Sequence, residues 1–388
     1  MPLPATERIL LGPGPSLIPP RVISAMGAPV LSHLDPDFVP LLDEVRALLR
    51  RVFRADEKAL TLATSGTGTS AMEAAVANVV SDGMRAVVVV SGYFGERLVQ
   101  ILERYGARVR RVDVEWGRAV DPQRLREELR KEGADVVGIV HAETSTGVRN
   151  PVKELAAIAR EHGALTIVDT VTSLGGQEVD LAGWGVDVAY SCTQKCIGAP
   201  SGLAPIAISG AARARLVKCR SFYLDLQLLE DYWVHRKYHH TMSTSLVYAL
   251  REALLMVEEE GLAARVARHE RHHRALAAGL EAMGLSLLPP AGERLWTLNA
   301  VRVPAGVDEA AVRRTLLTTF NLEVGAGLGP LAGKIWRVGL MGASSTPQTL
   351  LQFLAALESA LAANGRDVPA GAGVAAASRA LRPELTTA

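Results

Sequence analysis

Between residues 59 and 208 the chain repeats one device. Short apolar runs at 59–63, 86–90, 109–112, 136–140, 165–168, 186–190 and 203–208 are separated by segments of helix length, such as 71–80, 96–105, 122–131 and 151–162. Apolar runs without polar alternation suit strands covered on both faces, and strands alternating with helices require crossover connections. The pattern predicts an α/β domain on a mostly parallel sheet flanked by helices. Such sheets bind ligands just outside the carboxyl ends of their strands. Two polar residues fall at such ends: Asp169 closes the run 165–168, and Lys195 follows the run 186–190.

A chain of 388 residues exceeds what one core usually holds, about 250–300 residues, so two domains are expected. Residues 1–20 read as an extended arm, because Gly12-Pro13-Gly14-Pro15 supports neither helix nor strand. Residues 21–255 form the large domain, entered through an amphipathic helix with Phe38, Leu41, Leu42, Val45, Leu48, Leu49 and Val52 at helical spacing. A helical pattern from 246 to 283, interrupted near Gly261, carries the chain into a small α+β domain, 256–365. Strands are expected there at 296–303, 322–325 and 334–339, with helices at 308–319 and 346–363. The tail, 366–388, shows little periodicity and is expected to be mobile.

Composition excludes several classes. Lys and Arg number 42 against 41 Asp and Glu, which offers no electrostatic footprint for a nucleic acid. Three cysteines, Cys192, Cys196 and Cys219, point to a reducing compartment rather than a disulfide scaffold. No basic start followed by an apolar core opens the chain, and the apolar runs are too short to span a bilayer. A cytoplasmic protein without membrane partner is expected. Neither the Cys192/Cys196 pair nor His141, His239 and His240 has the further ligands of a metal site, so local hydrogen bonding is expected for the histidines.

Ser65-Gly66-Thr67-Gly68-Thr69-Ser70 follows one apolar run and opens a helical stretch. Glycines let backbone amides approach an anion, hydroxyls add donors, and a helix N-terminus favours negative charge, so this is a candidate phosphate cradle. A tight turn with hydroxyl caps is the alternative. Gly66, Gly68 and Ala71 also satisfy a dinucleotide fingerprint, but that reading needs an acid ending the next strand, and Asp82 stands in the turn before it. A buried Asp169 needs donors or a cationic partner, and a protonated heterocycle nitrogen is one such partner. A lysine whose ammonium form is disfavoured can form a Schiff base with an aldehyde. Phosphate, ring nitrogen and aldehyde together describe pyridoxal 5'-phosphate.

The chain resembles the class V aminotransferases of fold type I, in the alanine–glyoxylate and serine–pyruvate group. The resemblance rests on Gly12-Pro13-Gly14-Pro15, Ser65 to Thr69, His141-Ala142-Glu143-Thr144-Ser145-Thr146-Gly147, Asp169-Thr170-Val171, Thr193-Gln194-Lys195, Tyr238-His239-His240-Thr241 and Trp336-Arg337-Val338-Gly339-Leu340. It implies a seven-stranded, mostly parallel sheet in the large domain and a homodimer with active sites at the subunit interface. It further implies that Lys195 holds the cofactor's aldehyde and moves the substrate proton, and that Asp169 faces the ring nitrogen. Phe94, where relatives often carry Trp, would stack on one ring face and Val171 lie on the other. Thr67, Gly68, Thr69 and Gln194 would hold the phosphate, with Tyr238 and Thr241 supplied by the second subunit; at Thr69 relatives can carry His. Thr144 would contact the ring oxygen. Arg337, whose planar guanidinium matches a carboxylate with two parallel hydrogen bonds, would grip the substrate together with Thr144.

The expected activity is transfer of the amino group of alanine or serine to glyoxylate or pyruvate in two half-reactions. Ureidoglycine or phosphonate-amine transamination, a lyase or a cysteine desulfurase are alternatives on the same fold. A nicotinamide-dependent dehydrogenase is the alternative from another class, and it lacks the ribose-binding acid.

Overall fold

The computed structural model describes residues 8–385. Its strands are β1 (Ile9–Leu10), β2 (Leu60–Gly66), β3 (Arg85–Val90), β4 (Arg108–Asp113), β5 (Val136–Val140), β6 (Ala142–Glu143), β7 (Val148–Arg149), β8 (Leu165–Asp169), β9 (Val188–Tyr190), β10 (Gly202–Ile208), β11 (Leu298–Arg302), β12 (Leu322–Glu323), β13 (Gly325–Ala326) and β14 (Ile335–Gly339). Seven of them make one sheet in the order β2-β10-β9-β8-β5-β3-β4. Within it β10 alone runs against its neighbours.

Every residue of β5 and β8 is buried, which is why neither strand alternates polar and apolar positions. The helix Val39–Val52 turns Leu42, Val45, Leu48, Leu49 and Val52 into the same core. The crossover through the helix Val152–Glu161 sets β5 beside β8, and the next connection sets β9 on the other side of β8. The carboxyl ends of β8 and β9 therefore lie side by side, with Asp169 in register with Tyr190.

Two helices, Thr244–Glu260 and Leu262–Ala282, meet at Gly261. Val247, Leu250, Leu254 and Val257 of the first belong to the large core, whereas Leu276 and Leu280 of the second belong to a separate small core. The small core lies against the sheet β11-β14-β13 and the helices Glu309–Phe320 and Pro347–Ala363.

Three stretches differ from the sequence reading. The arm carries β1, which pairs in parallel with β12, and Leu11 is fully buried in the small core. A two-residue strand pairing with a segment some 300 positions away has no local signature. The tail, expected to be mobile, contains the helix Ala372–Leu385, with Ala377 and Leu381 buried against the small core; residues 386–388 lie outside the described residues. Its packed face consists of Gly373, Val374, Ala377 and Leu381, too few large apolar residues to stand out as a periodic stripe. The strand expected at 322–325 is divided into β12, which pairs with the arm, and β13, which lies opposite Arg337 and Trp336 of β14.

Candidate active site

Lys195 stands in the turn after β9, and its Nζ donates to the Pro13 carbonyl of the arm. The arm is fixed over it by Ser16, whose Oγ donates to the Lys195 carbonyl at 2.7 Å and whose amide donates to the Gln194 carbonyl at 2.9 Å. Gly14 lies over the lysine side chain at φ +114°, and a Cβ there would stand 2.5 Å from Nζ. Only glycine accepts both that backbone and that approach.

The lysine and Asp169 line one cavity of about 260 Å³, with Thr67, Gly68, Thr69, Met72, Phe94, Arg97, Ala142, Thr144, Val171 and Gln194 completing its wall. Nine of the expected site residues are thus brought together. Gly68 opens the helix Gly68–Val79 at the cavity, and a Cβ on it would meet Val171 Cγ2 at 2.8 Å. The helix cap, Thr67, makes no side-chain capping bond, so the first amides are not taken by it. A larger opening of about 530 Å³, lined by Arg118, Arg149, Lys153, Glu178 and Glu293 among others, contains neither Lys195 nor Asp169.

Burial governs the charges here. It holds the Lys195 amine below the ordinary lysine range, with the charge of Arg337 acting in the same direction and Asp169 opposing. Burial pushes the Asp169 carboxyl up from 3.8 to about 7, against the Val171 amide at 2.8 Å and the Tyr190 hydroxyl at 3.0 Å, both of which donate to it. Arg337 is likewise lowered to about 10 by burial. Its Nε donates to the Ala326 carbonyl at 2.6 Å and Nη1 to the Thr144 carbonyl at 3.4 Å, so β13 and the loop after β6 aim it. Arg337 is not on the cavity wall itself but is close enough to bias Lys195.

Tyr238 and Thr241 stand apart from this cavity. Tyr238 is 64% exposed with its ring 5.6 Å from that of His33, and Thr241 is exposed. The histidines bond locally: His141 Nδ1 to Ser173 Oγ at 3.0 Å, His239 Nε2 to the Phe222 carbonyl at 3.0 Å and His240 Nε2 to Ser65 Oγ at 2.8 Å. Burial pushes the Cys192 and Cys196 thiols up to about 12 and about 11, which removes thiolate nucleophiles from beside the lysine.

Three contributors escaped the sequence reading. Tyr190 looked like one more apolar strand residue, and only its parallel register with Asp169 reveals it. Glu143 is fully buried and accepts from the amides of Phe94 at 3.2 Å and Gly95 at 3.3 Å and from Ser145 Oγ at 2.6 Å. It thereby pins the start of the helix Tyr93–Arg104 and with it the Phe94 ring. Arg97, one turn further along, is the third.

A strand-end acid, a buried low-pKa lysine, a helix N-terminus and an aromatic ring around one cavity can hold a phosphorylated, cationic heterocyclic aldehyde. The family model for aminotransferase class V matches residues 8–334. The chain belongs to the class V aminotransferases. This aminotransferase is 38% identical over 393 residues to the (S)-ureidoglycine–glyoxylate transaminase of Bacillus subtilis, covering 95% of the chain and 94% of that protein. It superposes on a crystal structure of ureidoglycine–glyoxylate aminotransferase from Bacillus subtilis with a TM-score of 0.94 at 38% identity, covering 98% of the chain and 100% of that structure. It matches the alanine–glyoxylate aminotransferase structure from Nostoc sp. with a TM-score of 0.91 at 48% identity, covering 93% and 97%.

Class V aminotransferases depend on pyridoxal 5'-phosphate. The aminotransferase cavity fits that group on its own evidence. Gln194 presents a buried Oε1 with no hydrogen-bond partner, and its amide ends exchange by a flip of one torsion. Asp169, pushed up by burial, lacks a cation in contact, which a protonated ring nitrogen supplies.

Proposed function

We propose that this aminotransferase moves the amino group of a small amino acid, alanine or serine, to glyoxylate or pyruvate, with Lys195 as the catalytic base and acid. The observation that carries the reading is Lys195 and Asp169 facing one small cavity from adjacent strand ends. The bound cofactor supplies an electron sink for the substrate's Cα carbanion. Asp169 would keep the ring nitrogen protonated, Phe94 and Val171 would confine the ring from its two faces, and Thr144 would meet its hydroxyl oxygen. Thr67, Gly68, Thr69 and Gln194 would hold the phosphate with backbone amides, hydroxyls and the carboxamide. Lys195 Nζ, whose ammonium form burial disfavours, would take the Cα proton and carry it to the cofactor's aldehyde carbon. Arg337, held on one side by the Ala326 carbonyl, receives the substrate carboxylate on the other.

Glyoxylate as acceptor is supported by relatives named for both ureidoglycine–glyoxylate and alanine–glyoxylate transfer. Ureidoglycine as donor is the second reading, favoured by the match to the Bacillus subtilis enzyme. We also propose a homodimer in the cytoplasm, in which Tyr238 and Thr241, exposed in the single chain, complete the phosphate site of the other subunit.

Single-turnover half-reactions with alanine, serine and ureidoglycine, followed by glyoxylate and pyruvate, test the reading. Faster turnover with alanine or serine and return by glyoxylate is expected. Turnover with ureidoglycine alone transfers the assignment to the second reading, and no turnover with any donor overturns both.

A further inference from the structure

Apart from Lys195 and Asp169, the one charged residue on the cavity wall is Arg97. It lies three positions after Phe94 on the helix Tyr93–Arg104, so both side chains reach the same side of that helix. Its Nη1 donates to Thr69 Oγ1 at 2.9 Å, across to the helix Gly68–Val79. Its guanidinium carbon stands 4.9 Å from the Phe94 ring centre and 5.3 Å from that of Tyr93. Among the described residues these are its partners, and none is a carboxylate. The neighbouring Glu96 is engaged by Arg111, whose Nη1 donates to it at 2.9 Å.

A threonine hydroxyl has one proton and two lone pairs. When Arg97 donates into Thr69, the hydroxyl proton is turned away from the guanidinium and is free for an acceptor in the cavity. That acceptor faces a helix start and a guanidinium with no counter-ion, which together favour an anion. The same guanidinium lies against the ring of Phe94 and fixes its tilt. We infer that Arg97 is a positioning residue for the cofactor's phosphate: it orients the Thr69 hydroxyl toward the phosphate oxygens. The inference rests on the cofactor reading given above and assigns no proton transfer to Arg97.

The test measures binding rather than turnover. Pyridoxamine 5'-phosphate, which lacks the aldehyde, and pyridoxamine, which lacks the phosphate as well, are titrated by equilibrium dialysis into cofactor-free wild type, Arg97→Met, Thr69→Val and the double variant. Arg97→Met is expected to weaken the phosphorylated ligand by on the order of tenfold to a hundredfold while changing pyridoxamine binding about twofold or less. The double variant is expected to lose no more than the worse single one, because the two residues act as a unit. Equal losses for both ligands, or additive losses in the double variant, overturn the inference. Circular dichroism and melting of the cofactor-free variants verify folding. If Arg97→Met does not fold, Arg97→Lys decides, since it keeps the charge and is expected to lie between wild type and Thr69→Val. An Arg97→Lys protein no better than Thr69→Val, or indistinguishable from wild type, overturns the inference. A wild type that binds neither ligand sinks the cofactor reading itself.

Discussion

Two buried polar clusters flank the Lys195 turn, and they are built on opposite plans. On one side Glu260 accepts from Arg265 Nη1 at 2.6 Å and from Arg268 Nε at 2.6 Å. Arg268 Nη2 also donates to Glu260, at 3.0 Å, and the other nitrogens reach backbone carbonyls: Arg265 those of Gly175 at 3.0 Å and Cys196 at 2.7 Å, and Arg268 those of Gly342 at 3.2 Å and Ser345 at 2.6 Å. Ser344, between the last two carbonyls, ties in the arm through Leu10 and Leu17. On the other side Gln194 leaves an oxygen unpartnered, Asp169 has no cation in contact, and Arg337 is bonded to carbonyls on one flank. A satisfied buried network fixes a fold, whereas unsatisfied polar atoms around a cavity wait for a ligand. The arginine cluster holds the lysine turn, and the cavity is where the proposed chemistry would take place.

The largest difference should appear with one substitution on each side. Lys195→Ala is expected to lower transamination by roughly a thousandfold or more with an unchanged cofactor-free melting temperature, read from steady-state rates and calorimetry. Arg265→Met, which strands the Gly175 and Cys196 carbonyls and leaves Glu260 to Arg268 alone, should cost about 2–4 kcal/mol in denaturant unfolding of the cofactor-free protein. A cost under about 1 kcal/mol would place the arginine cluster on the same footing as the cavity and erase the contrast.

The pH dependence should have opposite signs in the two regions. Asp169 is raised from 3.8 to about 7 in the fold, so the unfolded chain ionises first and the cofactor-free protein loses stability as pH rises from about 4 to about 7. For Glu260 burial pushes upward, but Arg268 and Arg265 hold it below 4.5, so its contribution is present above that value and is lost as pH falls through the folded value. Asp169→Asn removes the first slope, on the order of a few kcal/mol, and leaves the second. Denaturation midpoints from pH 3 to pH 8 for the two proteins check this; parallel curves would show that Asp169 does not titrate as its burial requires.

The smallest effect concerns the arm. Gly14→Ala places a methyl group 2.5 Å from Lys195 Nζ at φ +114°, which costs about 1–3 kcal/mol of backbone strain and displaces the lysine. Turnover should fall several-fold while the melting temperature changes by a few degrees; full activity would mean the arm only covers the site.

Much of this division was legible in the chain because it follows from burial. Uninterrupted apolar runs gave the strands of a sheet covered on both faces, and Asp169 and Lys195 were visible because a charged residue at the end of such a run is costly unless used. The break at Gly261 was read because it interrupts a long helical period. What stayed hidden depends on contacts across the fold. Tyr190, Glu143 and Arg97 acquire their parts only from register or from the helix facing them, and nothing local marks which members of the basic run 265–274 are buried. Of its buried members, Arg265 reaches the Gly175 and Cys196 carbonyls, His269 accepts from the Gly342 amide and His273 faces Asn299 on β11.

The most direct test of the central claim is to reconstitute the purified protein with pyridoxal 5'-phosphate, reduce it with borohydride, digest it and locate the modified residue by mass spectrometry. The cofactor mass is expected on the peptide containing Lys195, with near-visible absorbance lost on reduction and absent from Lys195→Ala. Modification of another lysine, or none at all, would contradict the account.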